Sequence, residues 1–125
     1  MRENGYIKKA KKFLELAKKE IEKSKKNSDP HIAVDGCAKG YLALDLATKG
    51  LFQKKGVKQI PKSYRGTRYL LQKYADKNLI RIFGNVRDIL HIDGYYEQII
   101  NYNTITLAFE DLENYIKTIE NLWKI

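Results

Sequence analysis

The stretch HIAVDGCAKGYLALDLATKGLFQKKG, residues 31–56, decides the fold of this chain. Val34, Cys37, Ala38, Tyr41, Leu44, Leu51 and Phe52 recur at helical spacing, and Leu42 and Leu46 widen the apolar stripe sideways. A helix apolar around much of its girth must be surrounded by other helices, because no single neighbour covers it. Asp29 stands where an N-cap belongs, and Pro30 falls in the first turn, where a missing N–H is tolerated. Gly36 and Gly40 lie one turn apart. Each lowers helix propensity by about 1 kcal/mol relative to Ala, so the pair predicts that a neighbouring helix comes close. Asp35 with Lys39, and Asp45 with Lys49, have the favourable acidic-before-basic order four residues apart. On a buried helix such charges need partners, and an ion pair to another helix is the expected answer.

The flanking segments supply the surrounding helices. Upstream, Tyr6, Ala10, Phe13, Leu14, Ala17 and Ile21 mark one face of a helix from about Asn4 to Lys26, closed by NSDP at residues 27–30. Downstream, Pro61 keeps KKGVKQIPKS a loop, and Ser63 is placed to cap a third helix with Thr67, Leu70, Leu71 and Tyr74 inward. After a short break near residues 76–78, a fourth helix turns Leu79, Ile82, Phe83, Val86, Ile89 and Leu90 inward, with Gly94 read as its stop. Asn103 is read as the cap of a fifth helix, with Ile105, Ala108, Leu112, Tyr115, Ile116, Ile119 and Trp123 on its core face. No strand alternation, internal repeat or long linker interrupts this pattern. The fold class is all-α: an antiparallel up-down bundle of about five helices, forming a single domain over residues 1–125. The two short helices, three and four, are expected together to match the length of the long ones.

Charge is distributed unevenly. The chain has 125 residues and a formal net charge of +9, and the whole excess lies within residues 1–62, while residues 63–125 balance. Most of it sits on the first helix, where Lys8, Lys12 and Lys19 face away from the apolar stripe. Such a face attracts nucleic acid or an acidic protein. The competing explanation is a solvated helix face, and the use of Lys over Arg speaks for it. No run of about eighteen uncharged apolar residues occurs, so no membrane span is expected. The charged opening residues lack an apolar signal core, and a cytoplasmic location is expected. One Cys and two His give no metal-site spacing, so neither a metal nor a cofactor is expected. There is no GxGxxG, P-loop, GxSxG or HExxH, which leaves nucleotide-hydrolase, esterase and zinc-protease classes without support.

The remaining candidate chemistry lies in GNVRDILHIDGYY, residues 84–96. Arg87 and His91 are four apart and share a helix face, with Asp88 three residues before His91. A carboxylate there raises an imidazole pKa and orients the ring. A His to move a proton and an Arg to steady a charged phosphorane are what a metal-free ribonuclease requires. The structural alternative is that both residues offset the helix macrodipole at a C-terminus. Tyr95 and Tyr96 are candidate stacking platforms for bases, or rings that cover the end of the bundle.

Over about residues 33–122 the chain resembles a small bacterial family of five-helix bundles of unassigned function, domain of unknown function 5618. The resemblance rests on GYLALDLATKGLFQKKG, the IPKS loop, YRGTRYLLQKY and LIRIFGNVRDILHIDGYYEQ. That bundle is similar to the HEPN superfamily, which includes metal-independent ribonuclease toxins and inactive helical partners of nucleotidyltransferases. Active members of that group carry an Arg, a polar residue and a His, facing their copies across a dimer. Here RDILH supplies Arg87, Asp88 and His91, with three residues between Arg and His, one short of the usual interval. On an α-helix that difference turns His by about 100° relative to Arg. The resemblance implies a homodimer, Arg87 and His91 as the catalytic pair, and Tyr95 or Tyr96 as an auxiliary group. The leading expectation is a HEPN-like binding module, not an enzyme, that dimerises and takes nucleic acid or an acidic protein on its basic face. The alternatives are a metal-independent ribonuclease, as in a toxin–antitoxin pair, and a purely structural interaction module.

Overall fold

In a computed structural model, which describes residues 4–124, the chain is all-helical, with no strand among the described residues. Five helices follow in order: α1 (Gly5–Asn27), α2 (Pro30–Lys54), α3 (Tyr64–Tyr74), α4 (Lys77–Arg87) and α5 (Tyr102–Trp123). Between α4 and α5, the chain continues from Arg87 into a π-helical segment, Asp88–Tyr96.

Each helix begins at a side chain that accepts from its first free N–H groups. Asn4 Oδ1 accepts from Tyr6 and Ile7 at 3.0 and 3.3 Å, Asp29 from His31 at 3.0 Å, Ser63 from Gly66 at 3.0 Å and Asp76 from Leu79 at 2.8 Å. Each such cap contributes about 1 kcal/mol. Helix α5 is capped by Asn101, which accepts from Thr104 at 3.0 Å. Asn103, the residue expected there from sequence, lies inside the first turn. Gly94 is not the stop of α4. It lies within the π-helical segment, and the chain turns away only at Gln98, whose φ is 56°. The α4 and π segments together run from residue 77 to 96, so they alone approach the length of α1 and α2. Helix α3 packs mainly on α4 and buries only Thr67 and Leu71.

Helix α2 is the centre, packed by α1, α4, α5 and the π segment. Gly36 and Gly40 permit this by facing different neighbours. A Cβ at Gly36 would press on Ile21 and on the Ala17 carbonyl of α1; one at Gly40 would lie 2.8 Å from both Leu90 and Phe109. The core comprises Ile7, Leu14, Leu44, Leu51, Phe52, Val86, Leu90, Leu112, Tyr115 and Ile119 among others. Fully burying side chains of this kind contributes about 1.5–3 kcal/mol each. Its edge differs from the pattern expected at Tyr6 and Val34, which are half-buried while Ile7 and Ala33 take the inner positions. Tyr115 is completely enclosed, and its hydroxyl meets Thr48 Oγ1 at 2.7 Å. Thr48 donates its own proton to the Leu44 carbonyl at 2.8 Å, so the Tyr115 hydroxyl must be the donor in that pair. Trp123 ties the last turn of α5 to α2 by donating from Nε1 to the Gly50 carbonyl at 3.2 Å.

Candidate functional site

The structure gathers Arg87, His91, Tyr95 and Tyr96 on the α4–π segment, and adds two tyrosines that the sequence pattern had not linked to them. The Arg87 guanidinium carbon lies 3.6 Å from the ring centroid of Tyr64, the first residue of α3. Its side chain is only 18% exposed, and its Nε is buried without a hydrogen-bond partner. Asp88 is a marginal ion-pair partner, with its Oδ1 at 4.0 Å. His91 stacks on Tyr41 of α2 at 3.9 Å and 16° between planes. Tyr96 meets His91 edge-on at 4.8 Å, and Tyr95 lies parallel to it at 6.1 Å.

The backbone explains how these groups come together. The π-helical segment closes with bonds between residues five apart, as between the Glu97 N–H and the Ile92 carbonyl at 2.9 Å. A wider turn advances each residue by less than the 100° of an α-helix. Arg87 and His91 therefore stay on one side, facing Tyr64 and Tyr41 of neighbouring helices. Gly94 anchors the turn, because its missing side chain lets the backbone press on Cys37. π-Helical turns of this kind are frequent at functional sites.

The electrostatics differ from the expectation drawn from Asp88. The His91 pKa is lowered, first by burial and then by the nearby Arg87 cation, so the imidazole is neutral at pH 7. Asp88 is 70% exposed on its side chain and does not offset this. Burial raises the Tyr41 phenol above its usual value, Asp45 adds to the rise, and Arg87 opposes it. Burial also pushes the Cys37 thiol up to about 12, so it is a protonated packing group.

Lys8, Lys12 and Lys19 lie elsewhere. They are exposed on α1, which packs on α2 and α5, whereas the π segment rests on α2, α4 and α5. Eight of the nine lysines of α1, all but Lys9, fall into two rows. Lys11 pairs with Glu120 of α5, Lys18 with Glu113 at 3.1 Å, and Lys25 with Glu22 at 3.7 Å while also approaching the Tyr102 ring. Lys8, Lys12, Lys19, Lys23 and Lys26 form no ion pair among the described residues. On α2, Lys49 keeps the expected partner Asp45 at 3.1 Å, but Lys39 reaches across to Glu20 of α1 and not to Asp35. That is the interhelix ion pair expected from a buried central helix.

Sequence reasoning missed Tyr41 and Tyr64 as the partners of Arg87 and His91. Spacing puts Tyr41 on the core stripe, and nothing in spacing alone brings the first residue of α3 to the last residue of α4. Among the described residues no three His, Cys, Asp or Glu side chains gather, so no residue set is assigned to a metal. No helix of the described residues is long and apolar enough to cross a membrane.

An all-helical bundle with a basic row on one helix and an arginine–aromatic cluster on another thus defines the class. The chain belongs to the family described as Domain of unknown function (DUF5618), whose model matches residues 2–121. No curated protein and no solved structure matches it.

Proposed function

We propose that this chain is a HEPN-like binding module, an up-down antiparallel bundle that dimerises and holds nucleic acid on the outer face of α1. One observation carries the reading: the α1 lysines other than Lys9 divide into a paired row and an unpaired row. Lys11, Lys18 and Lys25 spend their charge on partners within the protein. Lys8, Lys12, Lys19, Lys23 and Lys26 do not, and they extend over roughly 27 Å of helix at 1.5 Å per residue. A straight row of ammonium groups suits a phosphate backbone, which it reads as charge and not as sequence. Support for the antiparallel arrangement comes from Asn4, at the start of α1, which reaches Gln53 at the end of α2. Support for a homodimer comes from Tyr95, Tyr96 and Ile99, which are 42%, 64% and 62% exposed. They belong to the half of the chain without net charge, where two basic copies repel each other least.

The test is fluorescence anisotropy of the full chain with single-stranded RNA across a salt series. Binding is expected to weaken linearly in log–log form, with a slope near −2 if about three phosphates are neutralised. Reversing Lys8, Lys12 and Lys19 to Glu together abolishes it. Absence of salt-dependent binding overturns the reading, and capture of an acidic protein by the same row in its place would replace nucleic acid as the ligand.

The ribonuclease reading draws on one favourable feature, the neutral His91 beside the exposed Tyr96 ring. Against it, the Arg87 guanidinium lies over the Tyr64 ring, and its side chain is only 18% exposed. RNA left intact by the purified protein in EDTA rejects it, and cleavage lost in His91→Ala would establish it.

A further inference from the structure

A cavity of about 370 Å³ opens between the start of α1, the middle of α2 and the loop leading into α3. Its size falls within the range of small-molecule sites. Tyr6, Tyr41, Tyr64 and Phe83 give it aromatic walls. Tyr64 and Phe83 lie nearly parallel, 6.3 Å apart at 8°, and two of the rings already carry a neighbour on one face. Tyr64 carries the Arg87 guanidinium against its face, and Tyr41 is stacked on His91. The rim is charged. Lys62 is exposed and forms no ion pair among the described residues. Asp45, on the cavity wall, engages Lys49 through Oδ2 at 3.1 Å, and its Oδ1 forms no hydrogen bond among the described residues.

We propose that this cavity binds a purine mononucleotide. The chemistry is set by three groups at once. Flat rings stack on tyrosine, with base–aromatic stacking worth about 1–3 kcal/mol per base. A carboxylate oxygen only accepts hydrogen bonds, so Asp45 selects a ring edge with N–H donors, which guanine presents. Lys62 at the mouth meets the phosphate as a point charge. In this arrangement Arg87 and His91 are positioning residues: they fix the tyrosine walls and do not touch the ligand. The site goes beyond the lysine row of α1, with which it shares no residue.

Isothermal titration calorimetry of the full chain tests this with guanosine 5′-monophosphate, guanosine and inorganic phosphate as separate ligands. The monophosphate binds saturably, guanosine binds about tenfold more weakly, and inorganic phosphate gives no saturable heat. Lys62→Glu weakens the monophosphate about tenfold and leaves guanosine unchanged. Tyr64→Ala weakens both. Lys62 and Tyr64 are exposed, so both variants should fold, which circular dichroism checks. In the unsubstituted protein, amide resonances of Ile60 and Thr67 shift on titration with the monophosphate. The proposal is overturned if the monophosphate gives no saturable binding at millimolar concentration, if inorganic phosphate binds as tightly, or if neither substitution changes the affinity. Charge reversal at Lys8, Lys12 and Lys19 leaves monophosphate binding intact, so failure of RNA binding and failure of this site are separate results.

Discussion

A Cβ atom on Gly94 would lie 2.5 Å from the Cys37 sulfur and 2.9 Å from its Cβ. The π-helical segment and α2 are therefore in contact at a point where even one methyl group does not fit. Gly94→Ala is expected to destabilise the protein by about 1–3 kcal/mol, the usual cost of overpacking. Cys37→Ala opens space at the same point, so the double variant should recover part of the loss. Thermal or urea unfolding of the two single variants and the double variant measures the coupling.

The Tyr115 hydroxyl donates to Thr48 inside the core. Thr48→Val leaves that buried donor without an acceptor and is expected to cost about 1–3 kcal/mol. Tyr115→Phe in the Thr48→Val background removes the orphaned group, and most of the loss should return. Equal additive losses in a urea double-mutant cycle would argue against the bond.

His91 gives the stability a pH dependence. Its folded pKa is lowered, so the folded state binds fewer protons than the unfolded chain, whose imidazole titrates near 6.5. The stabilisation is complete above pH 6.5 and is lost as pH falls toward the folded value. Urea unfolding between pH 5.5 and pH 7.5, about one unit either side of that ordinary pKa, should show stability falling on the acid side. His91→Gln should flatten that slope while leaving other titrations in place.

Arg87 joins α4 to α3 through the Tyr64 ring. Arg87→Met keeps the length of the side chain and removes the cation, so the loss should be about 0.5–2 kcal/mol, the range of cation–π contacts from exposed to desolvated. Hydrogen exchange should report it locally, as faster exchange in α3 relative to α2.

The fold was largely legible because it depends on periodicity and caps. Asp29 and Ser63 cap helices where turn chemistry places them, whereas the caps at Asn4 and Asp76 emerge only in the structure, and the apolar girth of α2 marks it as central. The end of α4 was not legible. Gly94 carries the sequence signature of a helix stop, yet its glycine is required by proximity to Cys37, a contact between residues far apart in the chain. The cluster was half legible for the same reason. Arg87 and His91 share a face by local spacing, whereas Tyr41 and Tyr64 arrive from other helices, and the direction of the His91 shift depends on that burial and not on Asp88.

The π-helical segment also separates two kinds of change that the helix could undergo. A substitution within residues 88–93 alters chemistry at a fixed position. A one-residue deletion there would alter phase: it would let the segment tighten to α-helical winding and rotate everything that precedes it relative to Gly94, which Cys37 holds in place. Arg87 would then leave the Tyr64 ring without being mutated. Family members that differ in length within this turn should accordingly differ in what they place against α2 and α3, even where every side chain named here is retained.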